Sequence, residues 1–463
     1  MPSFDHLVVL MLENRSFDHM LGFLKSPAYL IEGLDPANLP TCDPAVGTTS
    51  VPPTTNARTV NDLEPDPAHD FINVNVQIFG NPQGSVAGPQ MRGFVRDYAA
   101  VSKNSAKGVN VMKCFTDRTL PVLSKLAQQY AVCDHWFSSV PGSTIPNRLF
   151  SHAAHSGGSL TQDAILAPLT LKTIFEVIDD PANPYSYRIY TATTGGSILL
   201  SNLYLIHHQD GFHPYSEFAN DCAKGDLPAY TFIEPRYDDD IANGLYANSQ
   251  HPDFPVDEGE ALIADVYAAL QKSPDWATTL LLIVYDEHGG IFDHVPPPSL
   301  TINAAYPPVP PSLNPPFQFD RLGVRVPAVF VSPLIKPGSI ITRQFDHCSI
   351  VATVRKLFCL DKTSFNWREA GAATFDDIFS LVPTMPAGQM NEVKLPAPFV
   401  SGEVQAPPAV RTPSDLTIYM AQALQAAADT LGVKLTMHVT DIYSAQDAIN
   451  FLSNAASQLQ SKG

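Results

Sequence analysis

None of the six cysteines (Cys42, Cys114, Cys133, Cys222, Cys348 and Cys359) belongs to a CxxC pair. That excludes zinc–thiolate spacing and a dithiol redox motif. Scattered singly along 463 residues, they are expected to be buried thiols, with one or two disulfides in an exported form as the alternative. Basic residues are scarce: 28 Lys and Arg stand against 46 Asp and Glu, a formal net charge of −18. This excludes a nucleic-acid or anionic-membrane partner held by bulk charge. It does not exclude a phosphorylated substrate, because a bound cation reverses the sign locally. No apolar run approaches the roughly 20 residues of a membrane-spanning helix. No cleavage-site pattern follows the first apolar run, Leu7–Leu12. A cytoplasmic location, or export without a Sec-type signal, is therefore expected.

What is present points to a packed α/β protein. Hydrophobic residues make up 44% of the chain and charged ones 16%, an ordinary globular balance. Apolar runs at Leu7–Leu12, Ala131–Phe137, Tyr187–Thr191, Ala229–Ile233, Leu280–Tyr285 and Val326–Val331 read as strands covered on both faces. Helical spacing alternates with them over Asp117–Tyr130, Leu171–Ile178, Asp257–Gln271 and Ser349–Leu357. The alternation predicts a mostly parallel central sheet with helices on both faces. Pro-rich stretches interrupt it at Asp35–Pro67, Pro296–Pro316 and Gly388–Pro413. The last of these reads as a linker before helices at Ser414–Gly432 and Ser444–Ser461. The chain is thus expected to divide into a catalytic domain, 1–400, and a small helical C-terminal appendage, 401–463.

Two strands end in oxygen donors. Leu7–Leu12 runs into Glu13-Asn14, and Leu280–Tyr285 runs into Asp286-Glu287-His288-Gly289-Gly290. In an open α/β sheet, ligands bind outside the carboxyl ends of strands. Three carboxylates and an amide suit one hard divalent cation, while Glu13 capping a turn is the alternative. Ser143-Thr144-Ile145-Pro146-Asn147-Arg148 follows a strand and opens a helical pattern over Leu149–Ala154. Thr144 suits the N-cap position, with Pro146 in the first turn. Free N–H groups there could hold a phosphate, and a metal beside the hydroxyl would make it nucleophilic. Plain capping explains the same residues. Arg148 either holds a phosphate or pairs with an acid. His69, the pair His207-His208, His251, His288 and His294 supply acid and charge-stabilising groups.

Taken together, these phrases resemble the phosphoesterase family of plant non-specific phospholipases C, bacterial phospholipases C and related acid phosphatases. The matching segments are Glu13–His19, Asp66–His69, Ser143–Arg148, Ile233–Tyr237, Asp257–Glu260 and Tyr285–His294. The resemblance covers about residues 5–360 and implies an alkaline-phosphatase-like fold. It implies one divalent metal ion held by Glu13, Asn14, Thr144, Asp286 and Glu287. The oxygen-rich donors, with no ligating Cys, allow calcium, magnesium, manganese, iron or zinc, calcium being favoured. Thr144 takes the nucleophile position, where the phospholipase branch has threonine and the acid phosphatases serine. The family's histidines around the phosphate fall on His69, His208 and His251, and Asn147 joins them in stabilising charge. Ser249-Gln250 stand where plant members carry two aspartates before His251. The implied reaction is hydrolysis of a phospholipid diester through a phospho-threonine, with a soluble-monoester acid phosphatase as the alternative. Transient contact with a membrane surface and a bacterial source are expected. The Pro296–Pro316 loop, with Ile302, Tyr306, Leu313 and the following Phe317, offers an apolar mouth or an ordinary surface loop.

Overall fold

The computed structural model describes residues 3–58, 63–84, 88–162, 170–192, 196–303, 312–313, 316–398 and 413–461. Its centre is an eight-stranded sheet in the order β10-β2-β9-β6-β1-β5-β3-β4. The strands are β1 His6–Leu12, β2 Ala131–Cys133, β3 Tyr187–Thr191, β4 Phe212–Pro214, β5 Tyr230–Glu234, β6 Thr279–Tyr285, β9 Ala328–Val331 and β10 Ser339–Ile341. A separate two-residue hairpin pairs β7 Ser312–Leu313 with β8 Pro316–Phe317. All eight run parallel to their neighbours except β9, which is antiparallel to both β2 and β6. The expected mostly parallel α/β sheet is what the chain forms.

Every residue of β6 is buried, as are six of the seven in β1. Successive side chains of a strand point to opposite faces, so both faces of the sheet centre are covered. Each fully buried Leu, Ile or Val contributes about 1.5–3 kcal/mol. A helix at Pro121–Gln129 carries proline at its first position and takes its N-terminal cap from elsewhere. Glu260, on the helix Val256–Gln271, accepts from Val122 N at 2.6 Å and Leu123 N at 2.8 Å. One buried carboxylate therefore caps a neighbouring helix and fixes the two together.

The last two helices, Asp415–Leu431 and Ala445–Gln460, pack as a hairpin. Their inner residues, among them Leu416, Met420, Leu424, Phe451 and Leu452, join the core that surrounds the sheet. Ser414 and Ser444 cap the two helices, accepting from Thr417 N and Asp447 N. Residues 399–412 of the expected linker and Tyr306 of the expected mouth lie outside the described residues. Phe317 is buried against Phe71 and Phe319, with ring centroids 5.1 and 5.3 Å away, so it belongs to the core and not to a mouth. The six cysteines are free and buried. Among the described residues, no helix is long and apolar enough to cross a membrane.

Candidate active site

Strand register places Glu13 beside Asp286. Leu12 pairs with Tyr285 in the β1–β6 ladder, so the residues that follow leave the sheet together. Asp286 N then donates to the Leu12 carbonyl at 3.2 Å. Asn14 turns with φ +53°, a left-handed conformation that Asn tolerates better than most residues. Its N–H donates to Asp286 Oδ1 at 3.0 Å. The loop after β6 closes over this turn because Gly289 and Gly290 both have positive φ, 63° and 65°. A Cβ on Gly289 would sit 2.2 Å from the Asn14 carbonyl oxygen, and one on Gly290 2.6 Å from that of Ala68.

Thr144 meets this turn from the side. Its Oγ1 donates to Asn14 Oδ1 at 3.2 Å. The helix here is Thr144–Ala153, longer than the sequence pattern indicates, and Ser143 occupies the N-cap in extended backbone. Thr144 is therefore the first helical residue, not the cap. Ser143 Oγ donates to Asp70 Oδ1 at 2.7 Å. Of the N–H groups expected to cradle a phosphate, Pro146 has none, and Ile145 N donates to Gln162 Oε1 at 2.9 Å.

A cleft of about 1020 Å³ opens above these residues. Glu13, Thr144, His69 and His251 all line it, together with Asp66 and Asp253. His251 is set by the loop before it: Glu13 N donates to the Ser249 carbonyl at 2.9 Å, and Arg15 Nε to the Gln250 carbonyl at 2.7 Å. His251 Nδ1 lies 3.4 Å from Asp253 Oδ2 and its Nε2 3.7 Å from Asp66 Oδ2. His69 Nε2 lies 3.8 Å from Glu287 Oε1, and its Nδ1 bonds the Pro67 carbonyl at 2.9 Å. Burial alone would lower both histidines. The carboxylates of Asp66, Asp253 and Glu13 instead raise His251 to about 10, and those of Glu287 and Asp66 raise His69 to about 9. Both rings are thus charged at neutral pH and face the cleft as cations.

Two expected site residues serve elsewhere. The structure does not bring His208 to the cleft. It ends the short helix Leu203–His207, stacks on Tyr204 with centroids 3.9 Å apart, and bonds the Tyr204 carbonyl through Nδ1 at 2.8 Å. Asn147 is fully buried, and its amide is spent on the loop ahead of Thr144. Oδ1 accepts from Val140 N at 3.0 Å, while Nδ2 donates to the carbonyls of Val140, Gly142 and Ser143. Asn147 therefore shapes the turn that presents Thr144 and has no donor left for a phosphate. Arg148 takes the ion-pair alternative: its Nε donates to Asp286 Oδ2 at 2.8 Å, with both side chains fully buried. His288 and His294 point away, to Gln77 Oε1 at 2.8 Å and Asp18 Oδ2 at 2.6 Å.

The oxygens at the strand ends fit a hard cation. Glu13 Oε1, Glu287 Oε1 and Asn14 Nδ2 are buried and have no hydrogen-bond partner, an arrangement that costs free energy unless something else occupies the space. Burial raises Glu13 to about 7, against the pull of His251 and Arg148. For Glu287 burial acts upward too, yet His69 and His288 hold it below the usual range. Asp286 is more committed, with Oδ1 taking the Asn14 and Glu287 N–H groups and Oδ2 taking Arg148. Among the described residues, the acid and histidine groups drawn within 4.8 Å are Asp18–Asp293–His294, Asp66–His251–Asp253 and His213–Glu217–Asp221. Arg325 already fills the first, bonding Asp18 Oδ1 at 3.0 Å and Asp293 at 3.2 Å. Glu13, Asp286 and Glu287 are not among these groups.

Sequence reading missed several lining residues. Asp66 and Asp253 stand within or beside the matching segments, next to His69 and His251, and could have been read from that proximity. Asp415, Leu416 and Tyr419 also line the cleft. They come from the C-terminal hairpin, and no local signal marks them.

Cationic rings opposite buried oxygen donors suit attack on a phosphoric ester, whose charge they offset. Sequence comparison arrives at the same class. The chain belongs to the Phosphoesterase family, whose sequence pattern matches residues 4–361, and it is a phosphoric ester hydrolase. It is 37% identical to non-specific phospholipase C3 of Arabidopsis thaliana, over 94% of this chain and 83% of that protein. It is 26% identical to phospholipase C B of Mycobacterium tuberculosis (strain H37Rv), over 81% and 77%. Relatives in a plant and a bacterium do not support the expected bacterial source. Among solved structures, a protein of the alkaline phosphatase superfamily from Vibrio parahaemolyticus is similar at 14% identity and a TM-score of 0.32, over 55% of this chain and 64% of that one. The family implies use of a divalent metal, and acid and histidine groups able to hold one are present.

Proposed function

We propose that the chain is a metal-dependent phosphodiesterase of the phospholipase C type, with Thr144 as nucleophile. The observation that carries this reading is the placement of Thr144 Oγ1, 3.2 Å from Asn14 Oδ1 on a cleft wall shared with Glu13, His69 and His251. Glu13, Asn14, Thr144, Asp286 and Glu287 would hold the divalent cation, calcium favoured because every donor is oxygen. When bound, such a cation supplies Lewis acidity and lowers the pKa of a nearby hydroxyl.

Thr144 Oγ1, its hydroxyl proton already passed to solvent, attacks phosphorus as the alkoxide and forms the new P–O bond as the bond to the lipid alcohol breaks. The alkoxide is regenerated when that new bond is later cleaved. His251, held charged by its carboxylates, gives its proton to the departing diacylglycerol oxygen. His69 faces the phosphoryl oxygens and offsets their charge. Asn147 holds the turn that aims Thr144. Water then cleaves the Thr144–phosphorus bond and releases the phosphorylated head group, returning the proton to His251. A substrate carrying two acyl chains reaches this cleft from a lipid surface, so the protein contacts a membrane transiently.

Relatives named phospholipase C support the diester over the monoester reading. The test compares hydrolysis of phosphatidylcholine with that of p-nitrophenyl phosphate, each with and without chelator. Chelator-sensitive release of diacylglycerol is expected. Turnover of p-nitrophenyl phosphate alone would establish the acid-phosphatase alternative.

A further inference from the structure

The catalytic residues all lie within residues 4–361, the span that matches the family. One wall of their cleft does not. Asp415, Leu416 and Tyr419 belong to the first turns of the helix Asp415–Leu431, outside that span, and line the same cleft as Glu13, Thr144, His69 and His251. The wall is anchored. Ser414 N donates to Asp238 Oδ1 at 2.9 Å and Ser414 Oγ to Asp238 Oδ2 at 3.0 Å. Leu416 and Met420 are buried in the main core. Asp415 and Tyr419 are four residues apart, so they share one helical face, with Asp415 exposed and Tyr419 half-buried.

The charge of the cleft is mainly negative. Its described lining sets the six carboxylates of Glu13, Glu64, Asp66, Asp70, Asp253 and Asp415 against the two cationic rings of His69 and His251, and includes no lysine or arginine. Glu13 Oε1 is buried there without a hydrogen-bond partner. Such a field repels an anionic head group and draws in a cation. Aromatic faces near carboxylates are suited to a quaternary ammonium, which is attracted electrostatically but needs no hydrogen bond. Tyr419 on the hairpin and Phe254 beside Asp253 supply the rings.

We infer that Asp415 and Tyr419, from the C-terminal hairpin, determine head-group choice and favour a phosphodiester bearing an ammonium group. This rests on the phosphodiesterase reading above. The C-terminal hairpin thereby acquires a role, as the specificity wall of a cleft whose catalytic residues lie elsewhere.

The experiment uses the full chain and two soluble diesters with the same leaving group, p-nitrophenylphosphocholine and its neutral isostere, p-nitrophenyl 3,3-dimethylbutyl phosphate. The wild type is expected to favour the charged ester in kcat/KM by about three- to tenfold. Asp415→Asn and Tyr419→Ala each lower that ratio by about two- to fivefold. Asp415→Glu and Tyr419→Phe, which keep the charge and the ring, preserve it. A wild-type ratio near one, or a ratio that neither Asp415→Asn nor Tyr419→Ala moves, overturns the inference alone. Failure of the wild type to cleave either diester overturns the phosphodiesterase reading, and the inference with it.

Discussion

Arg148 and Asp286 form an ion pair, Nε to Oδ2 at 2.8 Å, in which neither side chain has any solvent exposure. The rest of the guanidinium reaches Tyr237 Oη at 2.8 Å and the Leu12 carbonyl at 3.2 Å. One side chain thus ties the ends of β1 and β6 to the segment that follows β5. Removing one partner of a buried pair leaves the other charge uncompensated, which costs about 3–5 kcal/mol. Arg148→Met is expected to lose that much in urea denaturation. Arg148→Lys should not recover it, because an ammonium cannot reach three acceptors in a plane. A loss below about 1 kcal/mol would mean the pair is not structural.

Glu13 carries the metal expectation most directly, since its Oε1 is buried and unpartnered. A cation that binds the folded state at 100 times its dissociation constant stabilises it by about 2.7 kcal/mol. Calcium should therefore raise the melting temperature of the wild type, and Glu13→Gln should lose most of that rise. Parallel scans with magnesium, manganese and zinc rank the metals. An identical calcium shift in Glu13→Gln would remove Glu13 from the ligand set.

Much of this arrangement is legible in the sequence. Apolar runs locate β1, β3, β5 and β6 to within a residue, because strands buried on both faces carry few polar positions to interrupt them. The strand ends identify Glu13, Asn14, Asp286 and Glu287 for the same reason. Short edge strands such as β4 and β10, three residues each, carry too little pattern to detect. A His-Gln match fixes a residue type and not its direction, so it points to His208, whose ring instead stacks on Tyr204. Asn147 is expected from the resemblance to stabilise charge on the phosphate, while its buried amide satisfies four backbone groups instead. The wall formed by Asp415 and Tyr419 depends on contacts across hundreds of residues that no local spacing encodes.

Burial of Glu260 raises its pKa from 4.5 to about 7, against the pull of its two backbone donors at Leu123 and Val122. The folded value exceeds the unfolded one, so the folded state prefers the protonated form. That contribution is fully present below about pH 4.5 and is lost as pH rises through about 7. At 1.36 kcal/mol per unit it amounts to on the order of 3 kcal/mol. Glu260→Gln cannot titrate. Its stability should vary less than the wild type's between pH 4.5 and 7, as read from chemical denaturation at a series of pH values. Parallel curves for the two proteins would contradict the assignment.

Gly289 has no room for a side chain and a φ of +63°. Gly289→Ala is expected to destabilise the fold by more than about 1 kcal/mol, combining backbone strain with the clash against the Asn14 carbonyl. It should also lower activity, because the displaced turn carries Asn14. Gly388, also at positive φ but with nothing within 4 Å, serves as the control. Gly388→Ala should retain activity.

The nucleophile itself is open to direct test. Wild-type protein is acid-quenched during turnover of p-nitrophenylphosphocholine, digested, and analysed by mass spectrometry. The account predicts a phosphocholine adduct on the peptide containing Thr144, carried by the Thr144 hydroxyl. Thr144→Ala should show no adduct and a loss of kcat on the order of 10³-fold or more. Near-normal turnover by Thr144→Ala, or an adduct on another residue, would contradict it.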